Sequence, residues 1–210
     1  MPTVLNYLIV YLPPLVIWFF WKRKISARAL PLVVGMGAYI LLSLLRGVAR
    51  IPVLNDGVKE IPWLYYLLSA ALSGVFEEVG RYVVFFFVMR NYDRWSDCVS
   101  YGIGHGAIEI ILTHNLTDFT LFDDLITTYD LVTGAAFSVA MSVLVFAGVH
   151  YAENKKGLFA AIALHTVIDF TLVLEYYGIA SFGAVILIQL AFDILICCLA
   201  YRVFRRYKDY

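Results

Sequence analysis

The chain has 210 residues, 62% of them hydrophobic and 15% charged, with a mean hydropathy of +0.81. An ordinary soluble domain is about half apolar and a quarter charged, so this composition excludes one, and it excludes a disordered tail as well. Zero net charge gives no reason to expect nucleic acid as a partner. Apolar runs of spanning length predict helices at 3–21, 30–49, 62–90, 95–114, 130–150, 157–176 and 180–204. No run shows the period-two alternation of a barrel strand, so the expected fold is an all-α polytopic membrane helix bundle of about seven spans. The bundle would form a single transmembrane helical domain over 1–210.

Charge placement orients that bundle. The first run is followed by Lys22, Arg23, Lys24 and Arg28 and preceded by no basic residue, which reverses the order of a cleaved secretory signal. It reads as a retained span. Arg90 and Arg94, Lys155 and Lys156, and Arg202, Arg205, Arg206 and Lys208 fall on the same side as that first basic group, whereas the opposite side carries only Arg50 and Lys59. The positive-inside rule therefore places the amino end outside, the carboxyl end in the cytoplasm, and the 115–129 connection outside. Localisation is expected to be the cell membrane. Cys98, Cys197 and Cys198 offer no disulfide framework and read as reduced thiols.

Several polar groups sit where lipid would penalise them. An ionised side chain at mid-bilayer costs about 2.5–3.5 kcal/mol on the insertion scale. Span 3 nevertheless carries Glu77, Glu78 and Arg81, span 4 His105 and Glu109, span 6 His165 and Asp169, and span 7 Asp193. These groups should face inward and meet one another. At about 1.5 Å per residue, Glu78, His105, Glu109, His165 and Asp169 lie about 12–21 Å from the cytoplasmic ends of their helices, in one layer. Glu77 to Arg81, His105 to Glu109 and His165 to Asp169 are each four residues apart, so each pair shares a helix face; Glu78 reaches Arg81 at three. Gly102 and Gly106 read as a helix-packing motif. Arg46 reads as snorkelling to the outer face, Phe85, Phe86 and Phe87 as lipid-facing bulk, and Asp193 as a partner for Gln189.

Adjacent buried glutamates suit a shared proton and hence a general base acting on water, while a neighbouring imidazole can stabilise an oxyanion. This suggests acyl-bond hydrolysis inside the membrane. Zinc-protease H-E-x-x-H, aspartyl G-x-G-D and serine G-x-S-x-G signatures are all absent from the sequence.

Three motifs in order, Glu77-Glu78-Val79-Gly80-Arg81, Gly102-Ile103-Gly104-His105-Gly106-Ala107-Ile108-Glu109 and His165-Thr166-Val167-Ile168-Asp169, resemble the YhfC family of intramembrane proteases. That family belongs to the clan of CAAX prenyl endopeptidases, CPBP proteins and PrsW. The similarity runs from about residue 70 to 172. The resemblance implies that Glu77 and Glu78 are the paired glutamates, one acting as base, and that Arg81 orients them. It makes His105 the second-motif histidine, His165 with Asp169 the last motif, and Glu109 the extra acidic position of this branch. The implied substrate is a membrane-embedded or lipidated protein or peptide. The family usually carries a further Glu-Arg pair and histidine before the last motif; here 130–146 has none, and Ser138 stands at the histidine position.

The clan includes both metal-dependent and metal-free glutamic proteases. Two H-x-x-x-acid pairs could ligate a divalent metal such as zinc, whereas the lack of a compact ligand motif favours a metal-free site with no cofactor. The alternatives from other classes are a proton-coupled transporter using the same carboxylates as a relay, and a catalytically silent scaffold or immunity protein.

Overall fold

The computed structural model describes residues 12, 16–24, 27–113, 121–152 and 154–208, with Tyr129 the one described side chain in 121–131. Its helices are α1 (16–24), α2 (Ala29–Val53), α3 (Asp56–Lys59), α4 (Pro62–Val83), α5 (Trp95–Thr113), α6 (Leu121–His150), α7 (Lys156–Phe170), α8 (Leu172–Tyr176) and α9 (Phe182–Tyr207). A π-helical turn, Val84–Val88, extends α4. Among the described residues there is no strand, and α2, α4, α5, α6, α7 and α9 each overlap a predicted apolar run. Most of the first predicted span lies outside the described residues. Among the described residues, four helical stretches are long and apolar enough to cross a membrane: Ala29–Val53, Val132–His150, Lys156–Tyr176 and Phe182–Tyr207. The α4 and α5 helices are not among them, because they carry Glu77, Glu78 and Arg81, and Asp97, His105 and Glu109. The groups that lower their apolarity are those of the candidate site.

Two local readings are corrected. The 115–129 connection is mostly helix, since α6 begins at Leu121. Leu121, Phe122, Leu125, Ile126 and Tyr129 recur at helical spacing, and Asp123 and Asp124 suit the positive end of a helix. Asp118 lies outside the described residues. Of the three consecutive phenylalanines, Phe86 and Phe87 are exposed as expected but Phe85 is fully buried. Its ring packs against Tyr101 and Phe146, with centroids 4.7 and 5.3 Å apart, and Trp95 packs on Phe146 at 5.3 Å. These rings form an aromatic layer across the Trp95 end of the bundle.

Small residues set the helix spacing. The α5 helix lies between α2 and α6 and is glycine-faced toward both. A Cβ on Gly104 would stand 2.1 Å from the Leu32 carbonyl oxygen of α2, and one on Gly102 would stand 2.6 Å from Val139 Cα of α6. The packing role read for Gly102 and Gly106 is thus realised, Gly106 abutting Ala135 Cα at 2.9 Å. Gly74 similarly lets α4 approach α7, where a Cβ would meet Thr166 Oγ1 at 2.6 Å. Without lipid-driven attraction between helices, such close backbone contact is a principal source of association. The result is a ring in which α2 packs on α4 and α5, α6 on α5 and α7, and α7 on α4, with α9 outside against α6. Arg28, at the start of α2, clamps Asp97 of α5 through Nε at 2.9 Å and through Nη2.

Gly104→Ala is therefore expected to destabilise the bundle by about 1–3 kcal/mol, because backbone rather than a flexible side chain occupies the space. Gly37→Ala, where nothing lies within 4 Å, should be neutral or slightly stabilising. Melting midpoints of the two variants in the same detergent check the contrast; equal midpoints would contradict the packing argument.

Candidate active site

The interior of the ring collects the polar residues of four helices. Glu77, Glu78 and Arg81 come from α4, His105 and Glu109 from α5, and His165 and Asp169 from α7. Glu77, Glu78, Arg81, His105 and His165 are buried, while Glu109 and Asp169 are half-buried at one edge, the Asp169 side chain 37% exposed. Seven of the eight intramembrane polar groups singled out from sequence therefore lie in or beside one cluster, while Asp193 of α9 lies apart from it, beside Thr133 and Ala136 of α6. The fourth helix, α2, supplies Arg46.

The two glutamates have separate partners. Arg81 Nη1 donates to both oxygens of Glu78, at 2.7 and 2.6 Å, and Arg81 Nη2 reaches Ser138 Oγ at 3.3 Å. His165 Nδ1 donates to Glu78 Oε1 at 2.9 Å. A carboxylate with these neighbours can only accept, so Nδ1 of His165 carries a proton, and in the neutral ring Nε2 holds the lone pair. Glu77 Oε1 instead accepts from Arg46 Nη1, which also donates to Ser73 Oγ at 3.0 Å. Glu77 Oε2 faces His105 Nε2 at 3.4 Å and His165 Nε2 at 4.0 Å.

This differs from the sequence reading in three respects. Glu77 and Glu78 each face their own guanidinium, so they form two ion pairs in place of one proton-sharing pair. Arg81 bonds Glu78 three residues back and makes no bond to Glu77. Arg46 does not snorkel: it turns inward, because an acid in the ring offers a fixed partner and its side chain is only 15% exposed. Sequence reasoning missed Arg46 and Ser73. The signal available for Arg46 was the one applied to the acids, an intramembrane charge with no opposite charge on its own helix. Asp169 Oδ2 lies 3.7 Å from His165 Nε2, beyond hydrogen-bond length. Gln189 bonds Thr171 Oγ1 at 3.2 Å rather than Asp193. His114 lies outside the described residues, and the three cysteines are free thiols.

The cluster has the donors for a metal ion. One ligand atom each from Glu77, His105 and Glu109 lie within 4.8 Å of one another. The 3.4 Å between His105 Nε2 and Glu77 Oε2 is long for an N–H···O hydrogen bond, which is about 2.7–3.2 Å. It matches two ligands of a tetrahedral zinc, which stand about 3.3 Å apart when each bond is about 2.0–2.1 Å. Three nitrogen and carboxylate ligands with a position left open is the pattern of catalytic zinc. These residues therefore fit a divalent metal. An open apolar cleft of about 660 Å³, lined by Trp21, Ile103, Val139 and Phe204 among others, contains none of these groups.

A membrane-type helical bundle with buried carboxylates and imidazoles converging on a metal-sized gap defines a class, that of polytopic membrane proteins with an intramembrane polar centre. Comparison with known proteins gives the family. The model of the YhfC intramembrane metalloprotease family matches residues 8–122, more than half of the chain, and the chain belongs to that family. The match includes Glu77, Glu78, Arg81, His105 and Glu109. The uncharacterized membrane protein YhfC of Bacillus subtilis (strain 168) is 27% identical over 222 residues, covering 84% of this chain and 84% of that protein. No solved structure matches the chain.

Proposed function

We propose that this protein is a metal-dependent intramembrane endopeptidase that hydrolyses a peptide bond of a membrane-embedded or lipidated substrate. One observation carries the reading: Glu77, His105 and Glu109 bring three ligand atoms within 4.8 Å of one another, inside a ring of apolar helices. The family description weighs on the same side, and both move the balance from the metal-free site that motif spacing favours. Zinc is the natural candidate for this nitrogen and oxygen donor set. When bound, such an ion polarises a carbonyl and activates water.

The chain's own residues supply the proton handling. His165 Nε2 points into the cluster and is the group placed to take a proton from water and return it to the leaving amine. Glu78, bonded to Nδ1, fixes that tautomer and balances the charge the ring acquires. Arg81 holds Glu78, and Ser138 steadies Arg81 where the family's histidine would stand. Half-exposed Glu109 and Asp169 mark the edge from which substrate reaches the centre. We further propose seven spans in the cell membrane, with the amino end outside. A transporter would need a polar route to both ends, and the Phe85, Tyr101 and Phe146 layer obstructs one of them.

The test is cleavage of a membrane-embedded reporter by the detergent-purified protein, with metal content measured in parallel. Chelation should abolish turnover and zinc should restore it, while Glu77→Gln should lose both metal and turnover. Full turnover by metal-stripped protein refutes the metal-dependent reading; proton flux into liposomes without any proteolysis refutes the protease.

A further inference from the structure

We infer that Arg46, on a helix that carries none of the three motifs, is a positioning residue that makes Glu77 a one-oxygen ligand. This rests on the metal reading above and adds to it. Arg46 Nη1 bonds Glu77 Oε1 and, at 3.0 Å, Ser73 Oγ one turn earlier on the same face of α4. A carboxylate has two oxygens, and this clamp occupies one from the α2 side. The other, Oε2, is thereby turned toward the imidazoles of His105 and His165 at 3.4 and 4.0 Å. Free to rotate, Glu77 could present both oxygens to a cation or turn away from it. Held by Arg46, it presents one oxygen in a fixed direction, and the guanidinium offsets negative charge accumulated by Glu77, Glu109 and Asp169. Partners of this kind, one step behind the ligands, typically change metal affinity by about 10–100-fold when removed.

The fold contains its own control. Arg50, one turn further along α2, bonds Ser69 Oγ of α4 at 3.0 Å, one turn before Ser73. The two rungs share an arginine-to-serine bond between the same helices, but only the Arg46 rung continues to a carboxylate. A general stapling role predicts equal effects at the two arginines; a role in orienting Glu77 predicts an effect at Arg46 alone.

Purified protein stripped of metal is titrated with Co²⁺, following the visible absorption bands of the bound ion. Arg46→Ala should bind Co²⁺ about 10–100-fold more weakly and with an altered band pattern. Arg50→Ala should keep native affinity and bands. Should Arg46→Ala fail to fold, Arg46→Lys serves: lysine keeps the charge but not the fork, so a weaker Co²⁺ affinity than native with an altered band pattern is expected. Native affinity and bands in every folded Arg46 variant overturn the inference, as does an equal loss at Arg50. If Glu77→Gln loses binding while the Arg46 variants do not, the metal reading stands and only the role of Arg46 fails. If the native protein binds no Co²⁺, or Glu77→Gln binds it normally, the metal reading falls and this inference with it.

Discussion

Arg81→Leu is expected to destabilise the bundle by about 3–5 kcal/mol, a larger consequence than loss of activity alone. Arg81 is 1% exposed and Glu78 fully buried, and the arginine supplies two of the bonds that hold the carboxylate. Leucine fills much of the volume but leaves a buried anion whose remaining neighbour is His165. Breaking a buried pair from one side costs about 3–5 kcal/mol, a large part of the roughly 5–15 kcal/mol that separates folded from unfolded domains. The 3.3 Å bond to the buried Ser138 hydroxyl is lost as well. Removing both charges, as in Glu78→Leu with Arg81→Leu, should recover most of the stability, because an apolar pair of similar size has no desolvation penalty. Denaturation in detergent measures the single and double variants side by side. A single variant as stable as the native protein would mean that Glu78 does not depend on Arg81.

The contrast between Arg81 and Arg46 shows which information the sequence holds. Pairings within one helix follow from its pitch, so Glu78 with Arg81, and the closeness of His105 to Glu109, are legible from spacing alone. Pairings between helices depend on which faces pack together, and that is set by glycines whose partners lie far away in the chain. Gly104 against Leu32 brings α2 beside α5; with α2 also packed on α4, Arg46 falls next to Glu77. Neither contact has a local signature. The inward Phe85 lies four residues past Arg81 on the buried stripe that carries Gly74 and Glu78, so helical phase held the signal; an apolar run read without that phase looks the same whether it meets lipid or protein. The positions of the described helices were legible because apolar length is a one-dimensional property. Membrane-crossing composition was weakest for α4 and α5 because a buried polar centre and an apolar run compete for the same residues.

Glu78→Gln should separate proton handling from metal binding. Glu78 lies outside the Glu77, His105 and Glu109 set, so metal content should stay native. The substitution nevertheless changes what His165 meets. Arg81 offers only donors, so the single amide oxygen is drawn to it, and the amide nitrogen then faces His165 Nδ1. Nδ1 must now accept, which moves the imidazole proton to Nε2 and blocks the lone pair that should take a proton from water. A carboxylate-to-amide change behind the histidine of a Ser-His-Asp triad lowers kcat about 10⁴-fold by the same tautomer reversal. A general base contributes about 10²–10⁴-fold, so kcat in Glu78→Gln should fall by about that range while KM stays near native. His165→Gln should lose at least as much, and combining the two should cost little more than either alone, since both remove one function. Turnover and bound metal measured on the same preparations decide the point: undiminished kcat in Glu78→Gln would remove His165 from proton transfer, whereas metal lost together with activity would make Glu78 part of the metal-binding shell.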